Sequence, residues 1–166
     1  MQRSSLKSLI PLFGVAVPVL FVDQITKWLI QKNLELHGRY VVIQGIFNIR
    51  HDTNDGAAFG LMPGQNLPLI IVTLVAIGFI FLYYRHFQGS LWMKMALGFL
   101  LGGALGNFID RIRLGEVIDF LQFLLPGFWW PTFNVADVAV CIGAGMLMAH
   151  LLRHRGDYDA VEQIED

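Results

Sequence analysis

Apolar residues gather into four long runs, at 8–30, 67–84, 91–109 and 133–152, and the polar residues fall mainly between them. Each run is close to the roughly 20 residues that cross a hydrocarbon core as a helix. The pattern therefore predicts an integral membrane, mainly α protein, a four-transmembrane-helix bundle. The first run follows Arg3 and Lys7 as a signal peptide would. It carries no Ala-x-Ala cleavage pattern and has Asp23 and Lys27 near its far end, so it reads as a retained span. Pro11 and Pro18 mark its entry or a kink, which bilayer helices tolerate when neighbours satisfy the freed carbonyls.

The connections are unequal. A short turn from Arg85 to Ser90 joins the second and third runs, whereas long segments at 31–66 and 110–132 follow the first and third. In the first long segment, Tyr40-Val41-Val42-Ile43 and Ile46-Phe47-Asn48-Ile49 flank Gln44-Gly45, which predicts a small extracytoplasmic β element. The second, rich in Phe and Trp and broken by Gly115, Pro126, Gly127 and Pro131, reads as an interfacial loop. Trp28, Trp129 and Trp130 suit an interfacial aromatic belt. The domain reading is one unit over 1–156 with an acidic tail, 157–166, expected to be disordered.

Four spans put both chain ends on one side, so the ends of the first and third runs and the start of the fourth share the other. The suggestive polar residues fall there: Asp23, Lys27, Asn54, Asn107, Asp110, Arg111, Asp119, Asn134 and Asp137. Ionisable groups at membrane depth are costly and usually mark a site, which gives this convergence its weight. Lys and Arg tie between the two sides, with Arg3, Lys7, Arg85, Lys94, Arg153 and Arg155 against Lys27, Lys32, Arg39, Arg50, Arg111 and Arg113. Discounting Lys27 and Arg111 as site residues tilts the expectation to cytoplasmic termini under the positive-inside rule.

Composition narrows the classes. The 166 residues are 55% hydrophobic and 15% charged, with a mean hydropathy of +0.54, far from a soluble domain. The net charge of −1 and scattered basic residues exclude the electrostatic footprint of a nucleic-acid binder. The single cysteine, Cys141, excludes a disulfide framework and reads as a packed core residue. His150 and His154 lack an intervening Glu and sit beside Arg153 and Arg155, so they read as a solvated helix end, and no metal or cofactor is expected. Gly98, Gly102 and Gly106 recur every fourth residue, the mark of a close helix-packing face.

Two neighbouring carboxylates in a dry setting share a proton, because both cannot ionise cheaply, and such a pair activates water against a peptide carbonyl. Asp119 and Asp137 are the best pair by position. Asp110 competes with Asp119, although Arg111 beside it offers an ion pair instead. Bland alternatives exist for others: Asp23 and Lys27 have the i, i+4 spacing of a structural pair, and Asn134 with Asp137 suits a helix N-cap. A small proton-coupled transporter would also use buried carboxylates, but it predicts acids at the midplane and an internal repeat, and the sequence has neither. A non-catalytic assembly subunit would leave both aspartates dispensable.

Five segments in register resemble the lipoprotein signal peptidases, or signal peptidase II: Asp23-Gln24-Ile25-Thr26-Lys27, Asn54-Asp55-Gly56-Ala57-Ala58-Phe59, Gly103-Ala104-Leu105-Gly106-Asn107-Phe108-Ile109-Asp110-Arg111, Val117-Ile118-Asp119-Phe120 and Phe133-Asn134-Val135-Ala136-Asp137. The resemblance implies an aspartic endopeptidase with Asp119 and Asp137 as catalytic residues. Asp23, Lys27, Asn54, Gly56, Asn107, Asp110, Arg111 and Asn134 would bind substrate or support the site. It implies diacylglyceryl-prolipoprotein substrates cleaved on the amino side of the lipidated cysteine, membrane lipids as surroundings, no oligomeric partner, and a bacterial inner membrane with the site on the periplasmic side. The first long loop is expected to act as a lid, with Asn54 bonding substrate backbone and Gly56 allowing close backbone approach.

Overall fold

A computed structural model describes residues 9–56, 64–84, 90–125 and 127–165. The four expected spans are helices: α1 (Ile10–Asn33), α2 (Asn66–Tyr84), α3 (Leu91–Leu114) and α4 (Val135–Glu165). All four are long and apolar enough to cross a bilayer, α4 through its Val135–Arg153 portion. Pro11 lies in the first turn of α1, where its missing N–H costs nothing, and Pro18 lies inside the helix. Ser90 caps α3 by accepting from the Met93 amide at 3.3 Å. Gly115, at φ 83°, ends α3 in the left-handed region that glycine enters without penalty.

α3 is the central helix, packed against α1, α2 and α4. The glycine face explains how. A Cβ at Gly98 would meet the Leu12 carbonyl of α1 at 2.8 Å, and one at Gly102 would meet that of Ala16 at the same distance. Gly106 faces Asp23, and Gly103, one position round the helix, faces Ala136 of α4. Small residues thus bring three backbones close, the source of packing energy where lipid tails remove the hydrophobic drive between helices. Beside this contact Leu12, Ala16, Ile80, Tyr84, Leu97 and Leu101 form the buried apolar cluster. Phe13, Val17, Phe21, Leu74, Val75 and Phe79 are exposed on the outer faces, as lipid-facing side chains should be.

The long connections build a sheet of order β1-β2-β3-β4 from β1 (Arg39–Ile43), β2 (Phe47–Asn54), β3 (Val117–Leu125) and β4 (Phe128–Trp129). The β1–β2 hairpin is the expected element, turning through Gly45 at φ 75°. β3 is a correction, because the 110–132 segment was expected to be an interfacial loop. Its Val, Ile, Phe and Leu residues pair antiparallel with β2, setting Asp52 opposite Asp119 and Asn54 opposite Val117.

α4 continues to Glu165, and no proline interrupts the run that leaves the span. One further expectation changes. Cys141 is exposed rather than packed, on the wall of a cavity between the helices. The Ala57-Ala58-Phe59 stretch and the Arg85 to Gln88 turn lie outside the described residues.

Candidate active site

The polar residues at the ends of α1 and α3, the start of α4 and the adjoining strands meet around one cavity of about 770 Å³. Asn54, Asn107, Arg111, Asp119 and Asp137 line its polar end, and Val72, Ala76, Val138, Val140 and Ile142 are among its apolar walls.

Asp137 owes its position to the start of α4. Asn134 is the N-cap: its Oδ1 accepts from the Asp137 amide at 3.0 Å while Asp137 Oδ2 accepts from the Asn134 amide at 3.1 Å. This reciprocal pair satisfies two orphan donors of the helix end, as a capping box does. The other carboxylate oxygen, Oδ1, accepts from Asn107 Nδ2 at 2.8 Å. The capping and site readings of Asp137 are therefore both realised, by different oxygens.

Asp119 is held on β3. Its Oδ1 accepts from Asn134 Nδ2 at 2.8 Å and its Oδ2 from Asn54 Nδ2 at 3.2 Å. Asn134 thus reaches both aspartates, one through its side-chain nitrogen and one through its backbone and Oδ1. Asp119 is 3% exposed, and burial pushes its carboxyl from the ordinary 3.8 to about 7, with the Asp137 charge adding to the rise. Hydrogen bonds from Asn54 and Asn134 pull the other way without cancelling burial.

Behind the cavity lies a dry ion group. Lys27 Nζ meets Asp23 Oδ2 at 2.9 Å and Asp110 Oδ2 at 2.7 Å. Asp23 Oδ1 accepts from the Ala136 amide at 2.8 Å, so α1 also caps α4. Asp110 Oδ2 accepts from the Ile118 amide at 3.3 Å, tying α3 to β3. The sequence offered Arg111 as the partner of Asp110, and this is a correction. Consecutive helix positions point about 100° apart, so Asp110 turns to Lys27 while Arg111 Nη2 donates to the Gly56 carbonyl at 3.1 Å. The Asn54 amide is also committed, with its oxygen accepting from the Gly56 N–H at 2.9 Å and its nitrogen donating to Asp119. It is therefore already bonded at both ends where the sequence had it bonding substrate backbone.

All ten singled-out residues join one network: Asn54, Asn107, Arg111, Asp119 and Asp137 on the cavity, Gly56 and Asn134 in contact with them, and Asp23, Lys27 and Asp110 behind. Sequence reasoning missed Gln24, whose Nε2 donates to Asp110 Oδ1 at 3.0 Å and to the Gly106 carbonyl at 3.2 Å. It also missed Asn66, which donates to the Arg111 carbonyl at 3.1 Å. An amide inside or at the entry of an apolar run was the signal available for both. Among the described residues no three His, Cys, Asp or Glu side chains form a group able to hold a metal ion.

The fold and this network define a multi-pass membrane protein with two amide-held carboxylates at one end of its bundle. Its fold matches a bacterial membrane enzyme structure determined by the in meso method, with a TM-score of 0.83, 32% identity and 92% of each chain covered. The chain belongs to the family described as Signal peptidase (SPase) II, whose profile matches residues 15–153. The Lipoprotein signal peptidase of Bacillus pumilus is 41% identical over 139 residues, covering 83% of this chain and 90% of that protein. That of Syntrophotalea carbinolica is 42% identical over 138 residues, covering 81% and 86%. Membership of this family makes the chain a membrane-embedded aspartic peptidase of lipoprotein signal-peptide processing.

Proposed function

We propose that this protein removes the signal peptide from diacylglyceryl-modified prolipoproteins by hydrolysing the bond on the amino side of the lipidated cysteine, with Asp119 and Asp137 as the catalytic pair. The observation that carries the reading is the cavity that puts both carboxylates at its polar end while its remaining wall is mostly apolar, formed by α2, α3 and α4 with the segment before α4. Such a wall suits a substrate whose cysteine carries two acyl chains and which never leaves the bilayer.

Asp119, pushed up to about 7, is the group that keeps its proton near neutrality. Asp137 then acts as base. A water placed between them gives a proton to Asp137 and its oxygen bonds to the scissile carbonyl carbon, while the carbonyl oxygen takes the proton of Asp119. Collapse of the gem-diol returns a proton to Asp119, the C–N bond breaks, and the proton on Asp137 passes to the departing nitrogen. The pair ends as it began. Gly56, Arg111, Asn54 and Asn134 support it, and Asp23 and Asp110 hold the helix ends in place.

The setting is the bacterial inner membrane, with both termini cytoplasmic and the site on the periplasmic side. Testing this reading requires cleavage of a dipalmitoylglyceryl-cysteine peptide by the purified protein. Asp119→Asn and Asp137→Asn should each abolish cleavage in inserted, folded protein, and near-normal turnover in either would overturn the assignment. Labelling of cysteines placed at Ser4 and Asp55, each in a Cys141→Ala background, by an impermeant thiol reagent in whole spheroplasts reads the sidedness, with Asp55→Cys alone expected to react.

A further inference from the structure

Lys27 starts a chain of donors that reaches both aspartates. Its ammonium is 2% exposed and donates to Asn107 Oδ1 at 3.0 Å. The same oxygen accepts from Asn134 Nδ2 at 3.1 Å. An ammonium and an amide NH₂ are donors, so only the oxygen end of Asn107 fits between them. Its nitrogen is thereby turned onto Asp137 Oδ1, at 2.8 Å. A half-turn of that amide would set N–H groups against two donors and leave Asp137 Oδ1 facing an oxygen, an arrangement with several unsatisfied groups in a dry site.

Asn134 alone is a poor guard of this orientation. Its Nδ2 also donates to Asp119 Oδ1 at 2.8 Å and to the Ile118 carbonyl at 3.3 Å, so it keeps two partners if Asn107 turns. Lys27 also keeps two partners, Asp23 and Asp110, but its full positive charge repels an N–H end turned toward it far more strongly than the neutral amide of Asn134 does.

We propose that Lys27 is a positioning residue for the catalytic pair, acting through Asn107 to keep an N–H donor on Asp137 so that Asp137 stays the proton acceptor and Asp119 the proton donor. This rests on the assignment of the pair made above. The charged groups facing Asp119 are Asp137 from α4, Arg111 from α3, Lys27 from α1, and Asp52 opposite it on β2. Asp52 is held in two-pronged fashion by Arg50 and approached by His37 at 3.5 Å. The charge of Lys27 draws Asp119 down, against burial and Asp137. Removing it raises Asp119 further, so the alkaline limb of activity, where Asp119 loses its proton, moves to higher pH. A role confined to holding helices together would lower the folded fraction and leave kcat per folded molecule in place.

The test measures kcat and KM for a dipalmitoylglyceryl-cysteine peptide across pH with full-length protein in lipid nanodiscs. Lys27→Met and Asn107→Leu are compared singly and together, in the natural sequence and on Asp23→Asn. Asp23→Asn keeps an oxygen for the Ala136 amide and, paired with Lys27→Met, leaves the net charge of the buried group unchanged. Each single variant should lower kcat by roughly 100-fold with KM little altered. The double variant should be no more than about 3-fold below the worse single, because both cut the same chain. The alkaline limb should move upward in Lys27→Met. Multiplying losses, or an unmoved limb, would overturn the proposal. If Lys27→Met folds in neither background, Asn107→Leu decides, since it leaves the ion group whole: an unchanged kcat per folded molecule would overturn it. Failure of the catalytic pair itself looks different, with Asp119→Asn or Asp137→Asn still turning over whatever the Lys27 variants do.

Discussion

Two cavities open along the same helices, and they differ in what lines them. The first, of about 770 Å³, has Asn54, Asn107, Arg111, Asp119 and Asp137 on its wall. The second, of about 540 Å³, lies between α2, α3 and α4 and is walled by residues such as Phe79, Ile80, Leu97, Leu100, Leu147 and Leu151. Ala76, Ala104 and Val140 border both. α3 contributes to each, with Met93, Leu97 and Leu100 in its first half and Asn107 and Arg111 in its last turns. Polar groups are concentrated where helices end and strands begin, because only there can amides, caps and strand backbones satisfy one another outside the hydrocarbon. Chemistry and packing are thus separated along a single helix, and substitutions should separate them too.

The largest expected effect is on the polar cavity. Asp137→Asn or Asp119→Asn should reduce peptide cleavage by at least ~1,000-fold, near the upper range for losing a proton-transfer group, with the thermal transition of the helices retained. A variant that is inactive only because it is unfolded would blur the contrast between the cavities. Next comes Gly103→Val. The added side chain would press on the Ala136 carbonyl and Val140, displacing the start of α4 and with it Asp137, so activity and stability should fall together. Expression of a stable, active Gly103→Val protein would show that the close approach of α3 and α4 is not required.

Asp110→Asn removes one carboxylate from Lys27 while Asp23 remains. Breaking a buried ion pair on one side costs about 3–5 kcal/mol in soluble proteins, and a protein melting at lower temperature but with residual turnover is expected. A stable and wholly inactive Asp110→Asn protein would move Asp110 into the chemistry. In the apolar cavity, Leu97→Ala should cost about 2 kcal/mol through the void alone and leave kcat per folded molecule unchanged, which thermal unfolding and cleavage assays together can read.

The pH dependence sharpens the comparison further. Asp119 binds its proton more tightly folded, at about 7, than at the ordinary 3.8. The stabilisation from burying its neutral form is therefore full below about 3.8 and is lost as pH rises through the folded value of about 7. Asp119→Asn should flatten this part of the stability profile, whereas Leu97→Ala should shift the whole curve without changing its slope. The smallest expected effect is none: chelators should leave cleavage unchanged, and loss of activity restored by zinc would refute a metal-free pair.

Much of this was legible in the residues. The lengths of the apolar runs fixed four spans, since a bilayer admits few other solutions. An even number of spans then sent Asp23, Asn107, Asp110, Asp119 and Asp137 to one end, and the order of five motifs identified the family. The small residues of α3 were read as a packing face, and Gly98 and Gly102 do meet the α1 backbone. All of these follow from local pattern, because period and length are properties of a single segment.

Partnership is not. That Asp110 faces Lys27 and not Arg111, that Asn54 is spent on Asp119, and that the 110–132 segment supplies the strand carrying Asp119 depend on how elements are rotated and registered against one another. Close helix contact at Gly98, Gly102 and Gly106 sets that rotation for α1 and α3, and the capping of α4 by Asp23 and Asn134 sets it for Asp137. The sequence determined which groups reach the same end of the membrane. Only the tertiary structure decided which oxygen receives which proton, because hydrogen bonds demand directions that no single helix or strand can specify alone.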